Sequence, residues 1–356
     1  MFKIERSKLT ELYDKISDNM DLFVPVKTAG QTNFAVYNAS CNDAAKKEGF
    51  PVDVDALKTV KSPKDVFFPQ CENLYECVTD NGKISIKPEE RCSREFVVLG
   101  VKGCDVRGFE ILDKVFLADP VDSFYAARRE HGTVVSMACG APETSCFCKS
   151  FGIDAANPEG DVVTWMIEDN LYWSPVTEKG RKLTELVKDC LTDADGDADI
   201  EVVSEKQDEI RGIVGRLPYM DISLEDWGGD QTEEKFDSQL WDQLYKPCLA
   251  CGTCTFVCPT CQCYDIKDYT TGKGVQRFRC WDSCMYSDFT MMAHGNNRTS
   301  QMQRFRQRFM HKLVYFPANN DGVFSCVGCG RCVDKCPASL NILKVIKAFR
   351  KKEANK

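Results

Sequence analysis

The order of apolar and polar positions predicts an α/β fold for the first part of the chain. Residues 9–16 carry apolar side chains at i, i+3, i+4 and i+7, the spacing of a surface helix with one buried face. Residues 96–101 and 133–138 are short apolar runs rich in β-branched residues, which is typical of buried strands. The apolar positions of the predicted helix are Leu9, Leu12, Tyr13 and Ile16.

A strand, a turn and a helix follow one another around the first apolar run. Residues 102–108 have turn composition, and residues 109–116 have a helical pattern, which is the order found in α/β folds. Cys104 and Cys139 each follow one of the two predicted strands. We therefore expect both thiols at the carboxyl edge of one sheet, where such folds place their ligands.

Length and composition narrow the class of protein. The chain has 356 residues, of which 43% are hydrophobic and 28% charged, values that favour a globular protein over a disordered one. No run approaches the roughly 18 apolar residues of a transmembrane helix. The first residues are charged where a signal peptide would be apolar. We expect a cytoplasmic protein without a membrane span.

Charge divides the chain into two parts. Residues 241–356 hold 18 Lys and Arg against 8 Asp and Glu, a net charge of +10, which leaves −18 for the first 240 residues. We therefore predict an α/β domain over 1–240 and a ferredoxin-like domain with a long insertion over 241–356. The acidic, glycine-punctuated segment 192–237 is interpreted as the connection, and its Asp193–Asp197 stretch as a solvated loop.

Cysteine usage indicates metal binding. The chain has 21 cysteines, an odd number, and 12 of them lie in the last 116 residues, where CxxC clusters dominate. Disulfide-rich proteins are instead short and secreted. Thiolate ligation of metals therefore explains the cysteines better than disulfide bonds do.

Two copies of the bacterial ferredoxin motif provide the strongest signal. The first is Cys248-x2-Cys251-x2-Cys254-x3-Cys258-Pro259, and the second runs from Cys326 to Pro337 with the same spacing. In this motif the fourth cysteine ligates the other cluster. A pair of zinc ribbons is the alternative. The predicted ligand sets of two 4Fe-4S clusters are Cys248, Cys251, Cys254 and Cys336 for the first, and Cys326, Cys329, Cys332 and Cys258 for the second.

A third group of cysteines lies in the first domain. Cys104 and the Cys139-x6-Cys146-x-Cys148 motif would place four thiols near the predicted sheet edge. They could ligate a third 4Fe-4S cluster. The alternative is that they are buried thiols that pack as small hydrophobic side chains.

The remaining cysteines have no assigned role at this point. Cys261, Cys263, Cys280 and Cys284 lie in an insertion of about 65 residues between the ferredoxin motifs, where they either pack near the clusters or hold a further metal. Whether Cys71, Cys77 and Cys92 bind metal stays open. Cys41 and Cys190, like Cys92, are expected in the core.

The sequence offers no signal of catalysis by the chain itself. The three histidines lie in no triad-like motif, and no GxGxxG or GxxxxGK follows a predicted strand. We therefore assign no catalytic residue and expect other chains to supply and receive the electrons. The basic stretch 304–312 and the lysine-rich tail ending at Lys351, Lys352 and Lys356 are interpreted first as charge compensation beside the anionic clusters, for the stretch, and as a solvated helix, for the tail. Among functional roles, docking against an acidic partner is favoured over nucleic-acid binding.

The cysteine strings resemble a known family. Residues 248–263, Trp281-Asp-Ser-Cys284, His311-Lys312, the second ferredoxin motif, Cys104-Asp105 and Cys146-Phe147-Cys148 are similar to a family of iron–sulfur subunits. This family includes the iron–sulfur subunit of anaerobic sulfite reductase and the beta subunit of cytosolic sulfhydrogenases. The resemblance covers most of the chain from about residue 95 onward. It implies a third cluster at Cys104, Cys139, Cys146 and Cys148.

The resemblance also implies a function. Such a chain relays single electrons from a flavoprotein subunit, which takes them from NAD(P)H, to a second subunit. That second subunit is catalytic or a further relay, of hydrogenase, sulfite reductase or heterodisulfide-reductase type. Ferredoxin is a further partner. The alternative is a free-standing reductase that acts on a small substrate at an additional cysteine-ligated metal site.

Overall fold

The computed structural model describes residues 1–37, 52–56, 58–80, 82–272 and 274–350. Cys41 and the tail residues Lys351, Lys352 and Lys356, for which the sequence made predictions, lie outside the described residues. Within them, no helix is long and apolar enough to cross a membrane.

A mixed eight-stranded sheet forms the centre of the first part of the chain. Its strand order is β10-β1-β9-β8-β7-β6-β2-β3, and the neighbours β2, β6, β7 and β8 run parallel. The strands are β1 (Phe2–Glu5), β2 (Asp21–Thr28), β3 (Gln31–Tyr37), β6 (Phe96–Val101), β7 (Gly132–Met137), β8 (Val162–Ile167), β9 (Asn170–Pro175) and β10 (Thr192–Asp193).

Several elements that the sequence predicts are confirmed. The two apolar runs form β6 and β7, adjacent parallel strands in which every residue is buried, as expected for strands covered on both faces. Helix α1 (Leu9–Ser17) buries all four predicted apolar positions. The helix predicted over 109–116 is present but begins earlier, as α3 (Gly103–Phe116), so residues 103–108 are helical and not the predicted turn. These elements agree with the α/β fold predicted for this part of the chain.

One segment differs from the prediction. Residues 197–215, interpreted as part of a solvated connection, form the 19-residue helix α6 (Asp197–Gly215). Val203, Ile210 and Val214 are buried and pack in one core cluster with Trp165 of β8. The helix forms because this narrow apolar stripe, spaced by seven and four residues, faces the sheet, while the acidic side chains stay in solvent.

A second sheet combines segments from far apart in the chain. Its strand order is β11-β12-β4-β5, all antiparallel, with β4 (Cys71–Asp80), β5 (Lys83–Pro88), β11 (Tyr264–Thr270) and β12 (Gly274–Trp281). Strands from both sides of the predicted boundary at residue 240 therefore pair with each other. The long insertion between the ferredoxin motifs supplies two of these strands.

The carboxyl-terminal part packs around its own aromatic core. Trp241, Phe305, Phe309 and Phe349 contact one another in one buried cluster. Helix α10 (Gln301–Met310) begins with a capping box at Ser300 and continues into a π-helical turn, His311–Tyr315. Such turns are rare and are frequently found at functional sites.

The other helices are short. They are α2 (Lys64–Phe67), α4 (Ser123–His131), α5 (Glu178–Leu186), α7 (Thr232–Phe236), α8 (Trp241–Leu244), α9 (Thr253–Phe256), α11 (Phe316–Asn319), α12 (Arg331–Asp334) and α13 (Ile342–Phe349), and a two-stranded ribbon joins β13 (Met291–Met292) to β14 (Gly295–Asn296).

Candidate iron–sulfur centres

The two ferredoxin motifs adopt the same local structure. In each, a glycine with a left-handed backbone, Gly252 (φ 72°) or Gly330 (φ 75°), precedes a one-turn helix that carries the third cysteine of the motif. Glycine is suited to this position because it has no Cβ to clash in that conformation. The repeat of sequence is therefore also a repeat of structure, and α9 contacts α12.

The first predicted ligand set comes together. Cys248, Cys251, Cys254 and Cys336 line one cleft, together with Phe305 and Arg308. Three of the thiols come from the first motif and one from the second, as the spacing predicts. Cys251 is exposed, so this cleft lies next to the molecular surface.

The second predicted set also comes together, below the surface. Burial raises the pKa of the Cys326, Cys329 and Cys332 thiols, and negative charge on the nearby Cys258 raises each of them further. Cys258 belongs to the first motif, so the two motifs exchange their fourth cysteines. The pKa of Cys329 reaches about 12, and such thiols release their protons on binding a metal.

The third set gathers at the carboxyl edge of the large sheet. Burial raises the pKa of Cys148 to about 12, with further contributions from Cys139 and Cys146. Cys104, in the first turn of α3, has a strongly raised pKa because of burial, Asp105, and the neighbouring Cys329 and Cys148. This fourth thiol therefore lies between the third set and the second.

Two buried cations lie among these thiols. Arg308 and Lys312 are each 3% exposed, and none of the described carboxylates forms an ion pair with either. Arg308 Nε has no hydrogen-bond partner among the described residues. A buried positive charge without an anion is costly. A 4Fe-4S cluster with four thiolate ligands is anionic, so these cations fit the groups that the cysteines would hold.

Comparison with known proteins also indicates 4Fe-4S clusters. Residues 247–340 match the family model of the 4Fe-4S dicluster domain. The chain is 28% identical over 351 residues to Sulfhydrogenase 2 subunit beta of Pyrococcus furiosus, and the match covers 98% of each chain. Both matches support the resemblance to a family of iron–sulfur beta subunits. A search of the solved structures finds no match.

The dicluster domain of this iron–sulfur subunit holds at least two 4Fe-4S clusters, which are electron-transfer groups. Among the described residues, no three His, Cys, Asp or Glu side chains are arranged to hold a single metal ion. A mononuclear zinc site needs its ligands close around one ion, whereas the four cysteines of a cubane each bind a different iron and stand farther apart.

Two cations of the basic stretch of this subunit face inward, which favours charge compensation over a docking surface. Arg308 and Lys312 are buried, Arg304 donates to the Met285 and Arg298 carbonyl oxygens, and Arg306 stacks on Phe236 at 3.5 Å. All four of these cationic side chains are therefore buried or make contacts within the chain. Charge compensation beside the cysteines explains the stretch better.

Three thiols of the insertion, those of Cys261, Cys263 and Cys284, lie beside the second set. The interaction between Cys261 and Cys258 lowers the pKa of Cys258 and raises the pKa of Cys261, and Cys263 interacts with Cys284 in the same way. Because Cys284 stabilises its thiolate, the pKa of Cys263 falls to about 7. These thiols belong to the surroundings of the second set, whereas Cys280 does not join them.

Lys64 is a site residue that the sequence did not indicate. Its Nζ donates to the Cys261 carbonyl oxygen at 2.8 Å and lies 3.7 Å from the Trp281 ring centroid, and the side chain is buried. Burial lowers its pKa to about 8 despite the nearby Cys261. Lys64 lies almost 200 residues before Cys261, so no local pattern could have found it.

The other cysteines lie away from the three sets. Cys71 and Cys280 are paired across β4 and β12, and Cys77 pairs with Val275 of β12. Cys92 and Cys190 are partly buried and pack against the edges of core clusters, which is close to the core position expected for them.

A buried ion pair joins the third set to the second. Arg331 donates to both carboxylate oxygens of Asp105 at 2.7 Å, with the two side chains 1% and 2% exposed. Arg331 also donates to the Thr59 carbonyl oxygen at 2.9 Å. The carboxylate follows Cys104 and the guanidinium lies between Cys329 and Cys332 in sequence, so this pair fixes the two cysteine loops against each other.

We expect Gly328→Ala to destabilise the loop of the second set. Gly328 has φ 59°, and an added Cβ would lie 2.4 Å from the Phe147 carbonyl oxygen, next to Cys148. Gly322→Ala is the matched control, because its φ is 77° but nothing lies within 4 Å. The control carries only the backbone strain of about 1–2 kcal/mol, whereas Gly328→Ala also displaces a neighbouring backbone. The unfolding temperature and the iron content of the two variants are measured. Equal decreases in Gly328→Ala and Gly322→Ala would contradict the expected clash with Phe147.

Proposed function

We propose that this protein is the iron–sulfur electron-relay subunit of a hydrogenase-type oxidoreductase complex. The observation that carries the proposal is the pair of interleaved four-cysteine sets around the buried cations Arg308 and Lys312. Bound 4Fe-4S clusters supply one-electron redox chemistry. The chain's own contribution is to hold them at fixed separation, exclude water from them and surround them with charge.

The ligands follow from the three sets. We assign Cys248, Cys251, Cys254 and Cys336 to the first cluster and Cys326, Cys329, Cys332 and Cys258 to the second. The neighbourhood of Cys139, Cys146 and Cys148 supports a third cluster, with Cys104 as its fourth ligand. The third set meets the second through the Asp105–Arg331 pair, so the three centres would form one continuous path.

The proposed partners come from the family resemblance. It implies that a flavin-containing subunit that oxidises NAD(P)H supplies the electrons, and this chain has no dinucleotide-binding fingerprint of its own. The relative is named as a subunit of a sulfhydrogenase, which supports a catalytic or relay subunit as acceptor. We expect the assembly in the cytoplasm, with ferredoxin as a further partner.

The relay function is favoured over a free-standing reductase at the insertion thiols. The neighbouring Cys258, an assigned ligand, raises the pKa of Cys261, and Cys284 is buried with 8% exposed. Thiols in this position serve the second cluster rather than an incoming substrate. A free-standing reductase would turn over with an artificial reductant when purified alone, whereas a relay subunit would not.

Metal analysis of anaerobically purified protein tests the proposal. We expect about twelve irons and as many acid-labile sulfides, four for each of three clusters, with interacting S = 1/2 EPR signals after dithionite reduction. About eight irons would leave Cys104, Cys139, Cys146 and Cys148 as packed thiols. Zinc without iron would overturn the assignment.

A further inference from the structure

We propose that Arg308 and Lys312 set the reduction potentials of the two clusters of the dicluster domain, with Arg308 acting on both and Lys312 on the second alone. The inference rests on the proposed function, because it requires the two clusters. It goes beyond that function by naming the residues that decide how electrons distribute between the clusters.

Arg308 lies between the two ligand sets. It lines the cleft of the first set together with Cys254, and its positive charge lowers the pKa of Cys332 of the second set against the effect of burial. The thiolates that act most strongly on Arg308 are Cys254 and Cys332, one from each set. A charge in this position acts on both clusters at short range.

Lys312 lies one helical turn farther along, on the side of the second set. Its Nζ donates to Thr260 Oγ1 at 2.6 Å and to the Ser325 carbonyl oxygen at 3.0 Å. Thr260 Oγ1 in turn lies 3.2 Å from Cys258 Sγ. The thiolates that act most strongly on Lys312 are Cys258, Cys261 and Cys326, and none of them belongs to the first set.

The sign of the effect follows from electrostatics. Reduction adds one negative charge to a cluster, so burial disfavours the reduced form, and a nearby cation favours it. Buried side chains are screened little by solvent and salt. Each cation therefore raises the potential of the cluster beside it, and Lys312 offsets the penalty that burial places on reducing the second cluster.

Arg331 shows by contrast why these two cations are effective. Its guanidinium is also buried near the second set, but the bidentate pair with Asp105 leaves almost no net charge there. Among the described residues, neither Arg308 nor Lys312 has such a carboxylate partner. Their charge therefore remains available to the clusters.

Potentiometric titration of the full chain, followed by EPR, tests this inference. We expect Lys312→Met to move one of the two waves to more negative potential and leave the other in place. At the wild-type midpoint of the moved wave, the ratio of reduced to oxidised cluster should fall at least tenfold, which is about 59 mV for a one-electron couple. Arg308→Gln should move both waves in the same direction.

Two control variants separate charge from packing. Lys312→Arg keeps the charge and should restore the wild-type potential. Arg306→Gln removes a charge from the same helix where solvent screens it, and should move neither wave. Arg306 contacts Phe236 rather than any assigned ligand.

The outcomes are distinguishable from those of the proposed function. Unchanged waves in Lys312→Met with full iron content, or equal shifts of both waves, would overturn the inference and leave the relay function intact. A shift that Lys312→Arg does not reverse would assign the effect to packing and also overturn it. A wild-type protein without clusters would overturn both proposals.

Discussion

Replacing Arg331 by leucine is expected to destabilise the fold by about 3–5 kcal/mol. Asp105 would remain buried with a full negative charge and without the partner that donates to both of its oxygens. The Arg331 contacts with Thr59 would be lost as well. Thermal unfolding under anaerobic conditions, followed by tryptophan fluorescence, measures the effect.

The chain contains a matched control for this prediction. Arg277 makes a bidentate pair with Asp268 at the same 2.7 Å distances, but the two side chains are 41% and 48% exposed. Arg277→Leu should cost about 0–1 kcal/mol because solvent screens the exposed pair. If both variants unfold at the same temperature, burial does not make the Arg331–Asp105 pair contribute more to stability than the exposed pair.

A double variant gives an independent check. Arg331→Leu combined with Asp105→Leu removes both charges, so no uncompensated ion stays buried. We expect this variant to be more stable than Arg331→Leu alone, because most of the penalty of breaking a buried pair comes from the partner left behind. A double variant that is less stable than the single one would contradict this explanation.

The second large effect is expected from Cys251→Ala. This change removes one ligand of the first cluster, and we expect the purified protein to lose about four irons, one cubane, and one of its EPR signals. Cys251 is exposed, so its replacement should leave the packing of the fold unchanged. Iron and sulfide analysis together with EPR measures the loss.

Cys71→Ala is the control for this prediction. Cys71 is also exposed, but it lies on β4 opposite Cys280 and outside the three sets. Iron content should therefore stay at the wild-type value. Equal iron content in the two variants would show that Cys251 is not a ligand.

The sequence pattern was sufficient to predict elements whose residues lie close together in the chain. Helix α1, strands β6 and β7 and the two ferredoxin loops follow from the spacing of apolar residues and cysteines. Helix α6 also carried a signal, because Val203, Ile210 and Val214 share one face and Asp197 and Asp199 occupy its first turn. The acidic composition of the segment concealed this pattern.

The sequence by itself therefore determined the local elements and the cysteine motifs, because three or four residues within one turn or loop specify each of them. Only the tertiary structure decided which distant groups meet. It paired β4 with β12 some 200 residues away and placed Lys64 beside Cys261. It also turned Arg308 and Lys312 inward. Burial depends on the whole fold, so only the structure decided between charge compensation and surface docking, the two interpretations that the sequence offered for the basic stretch.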